Sequence, residues 1–345
     1  MDEKQRLAEA LDYAVKHQTF NKAVKVQKAK NVCCFGLGTY FKEAFISKNL
    51  KEKWHVNLLF DNDDSKWGKT FCGLSCVPPE ELKKYDDLAV IILLGDPRPV
   101  QKQLRDMGIW HVTHVDLSID DELGFTKDIE EFANTRDKYL EAYSMFEDDE
   151  SKQIYVNALI NRIAPEKSLK SWEEMCTGNE YFGQPFMPDV SEGGTFIDCG
   201  AWTGDTVKLF SEYVDGNYRK IHAFELDEDN FHVLQKNTVE MHDVILHHAG
   251  VGEENERITY FVGSGDNEPT DGISLMKQGG EKRSAEIVRL DDALKGEDAT
   301  FIKMDIEGSE VAALRGTEEI LRTQKPQLAV CVYHKTSDFW EIPFF

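Results

Sequence analysis

The sequence predicts an α/β protein with two doubly wound, mainly parallel sheets. Short apolar runs alternate with helical periodicity in two separate stretches, one at 31–118 and one from 194 onwards. Several of these runs are apolar throughout, which is typical of strands that are buried on both faces of a parallel sheet. The length of 345 residues also favours two domains over one.

The first stretch begins with a strand, a helix and a second strand, followed by further elements of the same kind. The predicted strands are 32–35, 56–60, 88–94 and 111–115, and the predicted helices are 40–50 and 100–107.

The next residues differ in composition, because 119–190 are charged, helix-prone and without a strand-like run. We therefore predict a domain at 1–118, an acidic helical connector at 119–190 and a second α/β domain at 191–345. In the last part, a helix through Phe210 follows the first strand. The predicted strands there are 195–200, 221–224, 244–248, 258–262, 301–304 and 328–332.

Composition excludes several classes of protein. The formal net charge of −23 repels polyanions, so neither nucleic acid nor an anionic membrane surface is expected as a partner. No apolar run is long enough to span a bilayer, and the N-terminus predicts an amphipathic helix without the apolar core of a signal peptide. The seven cysteines are an odd number and several lie in apolar runs, which indicates a reducing, cytoplasmic environment. Cys72 and Cys76 lack a second Cys/His pair, so no zinc site is predicted.

The first domain carries a glycine loop, Gly36-Leu37-Gly38, between a strand and a helix. Such a loop can hold a phosphate, and Asp61 after the second strand is placed to take a ribose diol. Phe41 occupies the position of the third glycine of a dinucleotide fingerprint. Two interpretations stay open: a nucleotide or sugar-nucleotide site, or a tight turn capped by Asp61. Residues 31–118 resemble small Rossmann-like domains that accompany enzymes acting on sugar nucleotides and glycans.

The second glycine loop, Asp198-Cys199-Gly200-Ala201-Trp202-Thr203-Gly204, places its acid before the glycines. An aspartate there can meet a ligand's amine, and the glycines let the backbone approach a carboxylate or a ribose. Glu225 ends the next strand, where a carboxylate can accept hydrogen bonds from both hydroxyls of a ribose. This pair of acids points to S-adenosylmethionine.

From here the sequence resembles the FkbM family of S-adenosylmethionine-dependent methyltransferases, over roughly 194–340. The resemblance lies in an ordered series of motifs. These are 196–204, Ala223-Phe224-Glu225 with Phe231, Leu234 and Asn237, Leu290-Asp291, and Lys303-Met304-Asp305-Ile306-Glu307-Gly308-Ser309-Glu310 with Leu314-Arg315-Gly316.

The resemblance implies a class I methyltransferase sheet and O-methylation of a sugar, glycan or related small-molecule hydroxyl. The implied cofactor-binding residues are Asp198, Gly200, Ala201, Gly204, Glu225 and Leu226.

The expected catalytic residues are Asp305, Glu307 and His334, which emerge where two strands end. A carboxylate or a histidine there can take the proton of the attacking hydroxyl. A divalent metal ion held by the same oxygens is the alternative, although no metal is predicted. Glu310 is expected on the solvated first turn of a helix.

The C-terminus departs from the family pattern, because a further helix and an antiparallel hairpin are expected after 333. The sheet is therefore expected to lack its last strands, and an open edge would favour pairing with another chain as a homo-oligomer. Two rival functions are a non-catalytic nucleotide-binding or scaffold protein that retains the pocket, and a nicotinamide-dependent oxidoreductase using Gly36 and Gly38. Phe41 argues against the second.

Overall fold

The computed structural model divides the chain into two compact units, Met1–Ser171 and Trp172–Phe345. Each unit contains its own largely parallel sheet, which confirms the predicted α/β class. The residues that the structure describes are 2–17, 29–38, 41, 45, 49–94, 98–109, 112–114, 129–164, 167–170, 174–175, 181–182, 194–262 and 281–345.

The sheet of the first unit has six strands in the order β3-β4-β2-β1-β5-β6. Neighbours are parallel except β3 and β4. All five residues of β5 are buried, as the continuous apolar run predicted. The short strands β3 and β4 were not predicted. The strands are β1 Asn31–Phe35, β2 Leu58–Phe60, β3 Thr70–Phe71, β4 Leu74–Val77, β5 Leu88–Ile92 and β6 Val112–His114.

The first unit also contains a helical layer in which α1 packs against α4 and α5. Leu7 and Leu11 of α1 are fully buried, and Asp148 caps α5 by accepting a hydrogen bond from Ser151 N at 2.6 Å. The helices expected in the acidic stretch thus lie inside the first unit. The helices are α1 Glu3–His17, α2 Leu50–Lys53, α3 Arg98–Asp106, α4 Ile129–Tyr143 and α5 Asp149–Ile163.

The first glycine loop is closed by the chain's own aspartate. Asp61 Oδ2 accepts hydrogen bonds from Leu37 N at 2.8 Å and from Lys66 Nζ at 2.9 Å, while Oδ1 accepts from Asp63 N at 2.9 Å. Phe41 is buried in the core of this unit and stacks on Phe45. These contacts agree with the interpretation of this segment as a capped turn.

The second unit has a five-stranded parallel sheet in the order β14-β13-β7-β8-β9, and a three-stranded sheet in the order β10-β12-β11. Strand β12 was not predicted, because its sequence is charged and it lacks an apolar run. It pairs antiparallel with β11 over seven residues. The strands are β7 Thr195–Cys199, β8 Lys220–Glu225, β9 Val244–His248, β10 Gly250–Val251, β11 Glu256–Val262, β12 Glu281–Val288, β13 Phe301–Met304 and β14 Gln327–Val330.

Aromatic rings fill one side of the five-stranded sheet. The ring of Phe196 stacks on Phe210 with centroids 4.4 Å apart and on Phe301 at 5.5 Å, and Phe182 contacts all three. The helices of this unit are α6 Asp205–Tyr213, α7 Glu228–Thr238, α8 Leu290–Ala293, α9 Glu310–Arg315, α10 Glu318–Gln324 and α11 Asp338–Phe344. None of the described helices is long and apolar enough to cross a membrane.

The aromatic core gives a direct stability test. Phe210→Ala should lower the free energy of unfolding by about 3–5 kcal/mol, because it leaves a cavity among three rings. The neighbouring Leu209 is 52% exposed, so Leu209→Ala should change stability by no more than about 0.5 kcal/mol. Urea unfolding followed by circular dichroism measures both. Equal effects of the two substitutions would contradict the described core.

Candidate active site

The candidate site lies where four neighbouring parallel strands end. Since β14, β13, β7 and β8 are adjacent and parallel, their carboxyl ends meet at one edge of the sheet. Asp198 lies at the end of β7, Glu225 at the end of β8, and Asp305 directly after β13. His334 follows β14 by a few residues. Ligands of open α/β sheets bind at this edge.

Asp198 is fully buried and forms an ion pair with Lys303, whose Nζ lies 3.0 Å from Asp198 Oδ1. Burial raises the pKa of Asp198, and the ammonium of Lys303 opposes that rise. Burial disfavours the charged ammonium, but Asp198 and Asp305 together raise the pKa of Lys303 on balance. The cation that Asp198 meets is therefore a lysine of the chain itself, where a ligand's amine had been expected.

Lys303 also fixes the second glycine loop, because its Nζ donates a hydrogen bond to Gly200 O at 2.8 Å. Gly200 has φ +84°, a left-handed conformation that other residues rarely adopt. A Cβ at this position would lie 2.0 Å from the carbonyl oxygen of Asp305. The loop after β7 and the loop after β13 thus touch through their backbones.

Glu225 is 5% exposed and is held by backbone donors on both sides. Its Oε2 accepts a hydrogen bond from Trp202 N at 2.9 Å, and its Oε1 accepts from Asp227 N at 2.8 Å. Burial raises the pKa of Glu225 to about 7, against the lowering effect of these two donors. The side chain of Asn230 is a third hydrogen-bond partner, and a carboxylate with about four acceptor sites retains capacity for a ligand hydroxyl.

The other predicted cofactor residues lie in the glycine loop and directly after Glu225. Ala201 is buried and its N donates to Phe224 O at 2.9 Å, Gly204 directly precedes α6, and Leu226 packs against Tyr260. Within the described residues, the buried Nε1 of Trp202 has no hydrogen-bond partner. An acceptor atom of a ligand in this loop would satisfy the indole donor.

Asp305 is partly exposed and accepts hydrogen bonds from two phenols. Tyr333 Oη donates to its Oδ1 at 2.8 Å and Tyr181 Oη to its Oδ2 at 3.2 Å. Tyr333 itself is 44% exposed. The pair of phenols fixes the orientation of the carboxylate at the edge of the sheet.

His334 is buried between carboxylates. Its Nδ1 lies 3.0 Å from Glu310 Oε1, and its Nε2 lies 3.5 Å from Glu307 Oε2 and 3.6 Å from Asp305 Oδ1. Burial alone would lower the pKa of His334, but Glu307 and Glu310 outweigh it and raise it to about 10. The structure therefore brings the three predicted catalytic residues together, around an imidazole that holds its proton at neutral pH.

Glu310 corrects an expectation of the sequence analysis. It begins α9, as its position suggested, yet it is fully buried and not on a solvated turn. Its Oε1 accepts hydrogen bonds from Ile306 N at 3.0 Å and Gly308 N at 3.4 Å, so it closes the loop between β13 and α9. Helix N-termini favour acids whether exposed or buried, and no local sequence pattern separates the two cases.

Lys303 is a residue of the site that the sequence analysis did not predict, although a signal was present. A lysine flanked by Ile302 and Met304 in an entirely buried strand requires a charged partner. The phenols of Tyr181 and Tyr333 had no comparable signal.

Comparisons with known proteins relate this chain to a family and to a solved fold. Residues 198–344 match the family model described as Methyltransferase FkbM domain. This part of the chain is an FkbM methyltransferase domain. The chain also resembles the crystal structure of Methyltransferase FkbM from Methylobacillus flagellatus KT, with a TM-score of 0.65 and 20% sequence identity. That likeness covers 98% of this chain and 92% of the other, and at this identity it shows a shared fold. A comparison with curated protein sequences finds no match.

The membership supports methyl transfer as the general activity of the FkbM domain. The motif from Lys303 to Glu310 is the part of the sequence in which the buried ion pair, the phenol-bound aspartate and the buried glutamate all occur. Lys303, Asp305 and Glu310 of this motif thus all belong to the site.

Gly200 is constrained both by its left-handed backbone conformation and by its contact with the Asp305 carbonyl, and a second glycine allows the two effects on stability to be measured separately. Gly296 has nearly the same φ, +85°, but a Cβ there meets nothing within 4 Å. Gly296→Ala should cost about 1–2 kcal/mol of stability for the left-handed conformation alone. Gly200→Ala should cost about 1–3 kcal/mol more, because the methyl group also displaces the Asp305 carbonyl. Thermal unfolding compares the two, and equal losses would show that the loops do not touch.

Proposed function

We propose that the FkbM domain binds S-adenosylmethionine and transfers its methyl group to a hydroxyl of a sugar, a glycan or a related small molecule. The observation that supports cofactor binding is the position of Glu225, a buried carboxylate held by two backbone N–H groups beside the glycine loop. Such a carboxylate can accept the hydrogen bonds of the ribose 2′- and 3′-hydroxyls.

The remaining cofactor contacts come from the glycine loop. Gly200 allows the loop to pack on the carbonyl of Asp305, and Trp202 Nε1 is a buried donor that a cofactor acceptor atom would satisfy. Asp198 acts through Lys303, which holds the carbonyl of Gly200. We therefore assign Glu225 and the loop at Trp202 to direct contact, and Asp198 and Gly200 to positioning.

An acceptor hydroxyl would bind next to Asp305 and Glu307. Both side chains are partly exposed, and carboxylates accept hydrogen bonds from neighbouring hydroxyls as sugars present them. The half-exposed ring of Tyr333 offers an apolar face beside them. The acidic surface of the chain also favours a neutral acceptor over a phosphorylated one.

Bound S-adenosylmethionine supplies an electrophilic methyl group on a positively charged sulfur. The acceptor oxygen forms a bond to the methyl carbon as the bond from carbon to sulfur breaks, and the hydroxyl loses its proton. Asp305 and Glu307 are the groups that can take this proton. His334, placed between them, keeps the two carboxylates oriented.

A carboxylate substitution tests the cofactor site. Glu225→Gln should weaken binding of S-adenosylhomocysteine by roughly 10- to 150-fold, since a hydrogen bond to a charged group contributes about 1.5–3 kcal/mol. Glu228→Gln, an exposed position three residues further on in α7, is the matched control and should bind as the wild type does.

Isothermal titration measures both variants, with NADH as a comparison ligand. Affinity of Glu225→Gln within twofold of the wild type, or preferential binding of NADH, would contradict the proposed cofactor site. Binding of S-adenosylhomocysteine without methyl transfer to any hydroxyl acceptor would instead favour a non-catalytic role.

Cofactor affinity should also depend on pH. The ionised form of Glu225 accepts two ribose hydrogen bonds, and burial raises its pKa to about 7. Affinity should therefore be highest above pH 7 and fall by up to about tenfold per pH unit below it. Titrations from pH 5.5 to 8.5 measure this slope, which should be absent in Glu225→Gln. A slope that persists in that variant would assign the titration to another group.

A further inference from the structure

A second group of ligating atoms lies beside the proposed cofactor pocket. One side-chain atom each of Asp305, Glu310 and His334 lie within 4.8 Å of one another. We call these three residues the carboxylate–histidine cluster. They come from the loop after β13, the first turn of α9 and the segment after β14, so the fold brings them together from separate parts of the chain.

The cluster contains a buried polar atom that nothing in the described chain satisfies. Glu310 is fully buried, and its Oε1 already accepts hydrogen bonds from Ile306 N and Gly308 N. Its Oε2 is equally buried and has no partner among the described residues. A buried carboxylate oxygen without a partner costs free energy, and a bound cation would remove that cost.

The cluster also contains more negatively charged groups than positively charged ones. The carboxylates of Asp305, Glu307 and Glu310 surround the single imidazole of His334. Asp338 adds a further buried carboxyl group nearby. The short contacts of Lys303 and Lys335 lie outside the cluster: Lys303 pairs with Asp198, and the ammonium of Lys335 donates to Gly308 O. Among the described residues, the carboxylates therefore outnumber the cations in direct contact with them.

From these observations we propose that the carboxylate–histidine cluster binds a divalent transition-metal ion, with Asp305, Glu310 and His334 as its protein ligands. The ion takes the place of the imidazole proton, which is released to solvent when the ion binds. An imidazole nitrogen with two carboxylates suits Mn²⁺, Fe²⁺ or Zn²⁺ better than Mg²⁺ or Ca²⁺, which prefer oxygen ligands alone.

The place of the cluster suggests what the ion does. The carbonyl of Asp305 packs on Gly200 of the proposed cofactor loop, so the ion would lie close to the methyl donor. There it would bind the acceptor hydroxyl and favour its ionisation as a Lewis acid. This role rests on the proposed function, whereas binding of the ion does not.

The test uses the full chain, freed of metal, with Mn²⁺ as the probe and electron paramagnetic resonance as the readout. The wild type should bind one Mn²⁺ per chain, and Asp305→Asn and Glu310→Gln should each weaken binding by about tenfold or more. Glu307→Gln removes the same charge from the same loop without removing a ligand, and it should weaken binding clearly less. Asp305 is partly exposed, so its variant keeps the test valid if Glu310→Gln fails to fold.

Two results would overturn the metal site. One is the absence of Mn²⁺ binding to the wild type, which would leave His334 as the cation of the cluster. The other is an equal loss in Glu307→Gln and Asp305→Asn, which would indicate general attraction by the acidic edge. Titration with S-adenosylhomocysteine in the same preparation keeps the proposals separate, because a failure of the cofactor site leaves the Mn²⁺ result unchanged.

Discussion

The geometry of the site depends on the buried ion pair between Lys303 and Asp198. Burying one charge alone would be costly, and the pair is tolerated because each charge has the other within 3.0 Å. Lys303 uses a second donor on Gly200 O, which ties β13 to the glycine loop after β7. Replacement of one partner alone would leave a charge in the core. The pair therefore fixes the loop of the proposed cofactor pocket and the strand that carries Asp305.

The glycine loops of the two units are bound by a carboxylate in the same way, but the two carboxylates differ in their other partners. In each unit, an acid at the carboxyl end of a neighbouring strand accepts a hydrogen bond from the loop backbone: Asp61 from Leu37 N, and Glu225 from Trp202 N. Asp61 is also bound by Lys66. Glu225 is bound by two backbone N–H groups and by the side chain of Asn230, with no cation among these partners, so it retains acceptor capacity for a ligand. The second loop is therefore the better candidate for a bound nucleoside.

The sequence was sufficient for the parallel sheets, because strands buried on both faces need continuous apolar runs such as 88–92 and 301–304. It was not sufficient for β12, whose charged residues pair with β11 through backbone hydrogen bonds that do not depend on side-chain polarity. The sequence was also sufficient to predict that Asp198, Glu225 and Asp305 lie at one edge of the sheet, because each lies at the carboxyl end of a predicted parallel strand.

Which side chains meet at that edge was harder to predict. Glu310 lies in the first turn of a helix, as many solvated acids do. It is buried because the segment that carries His334 packs against it in the folded chain. The phenols of Tyr181 and Tyr333 reach Asp305 from positions 124 and 28 residues away. Contacts at such separations depend on tertiary packing that no local pattern records.

The most direct test of this account replaces the ion pair by an apolar pair, Asp198→Leu with Lys303→Met, and measures the affinity for S-adenosylhomocysteine by isothermal titration. Removing both charges together should leave the thermal stability close to that of the wild type. We expect the affinity to fall by about tenfold or more, because Gly200 O loses its anchor and the loop is no longer held. An unchanged affinity in a folded double variant would contradict the claim that the ion pair builds the cofactor site.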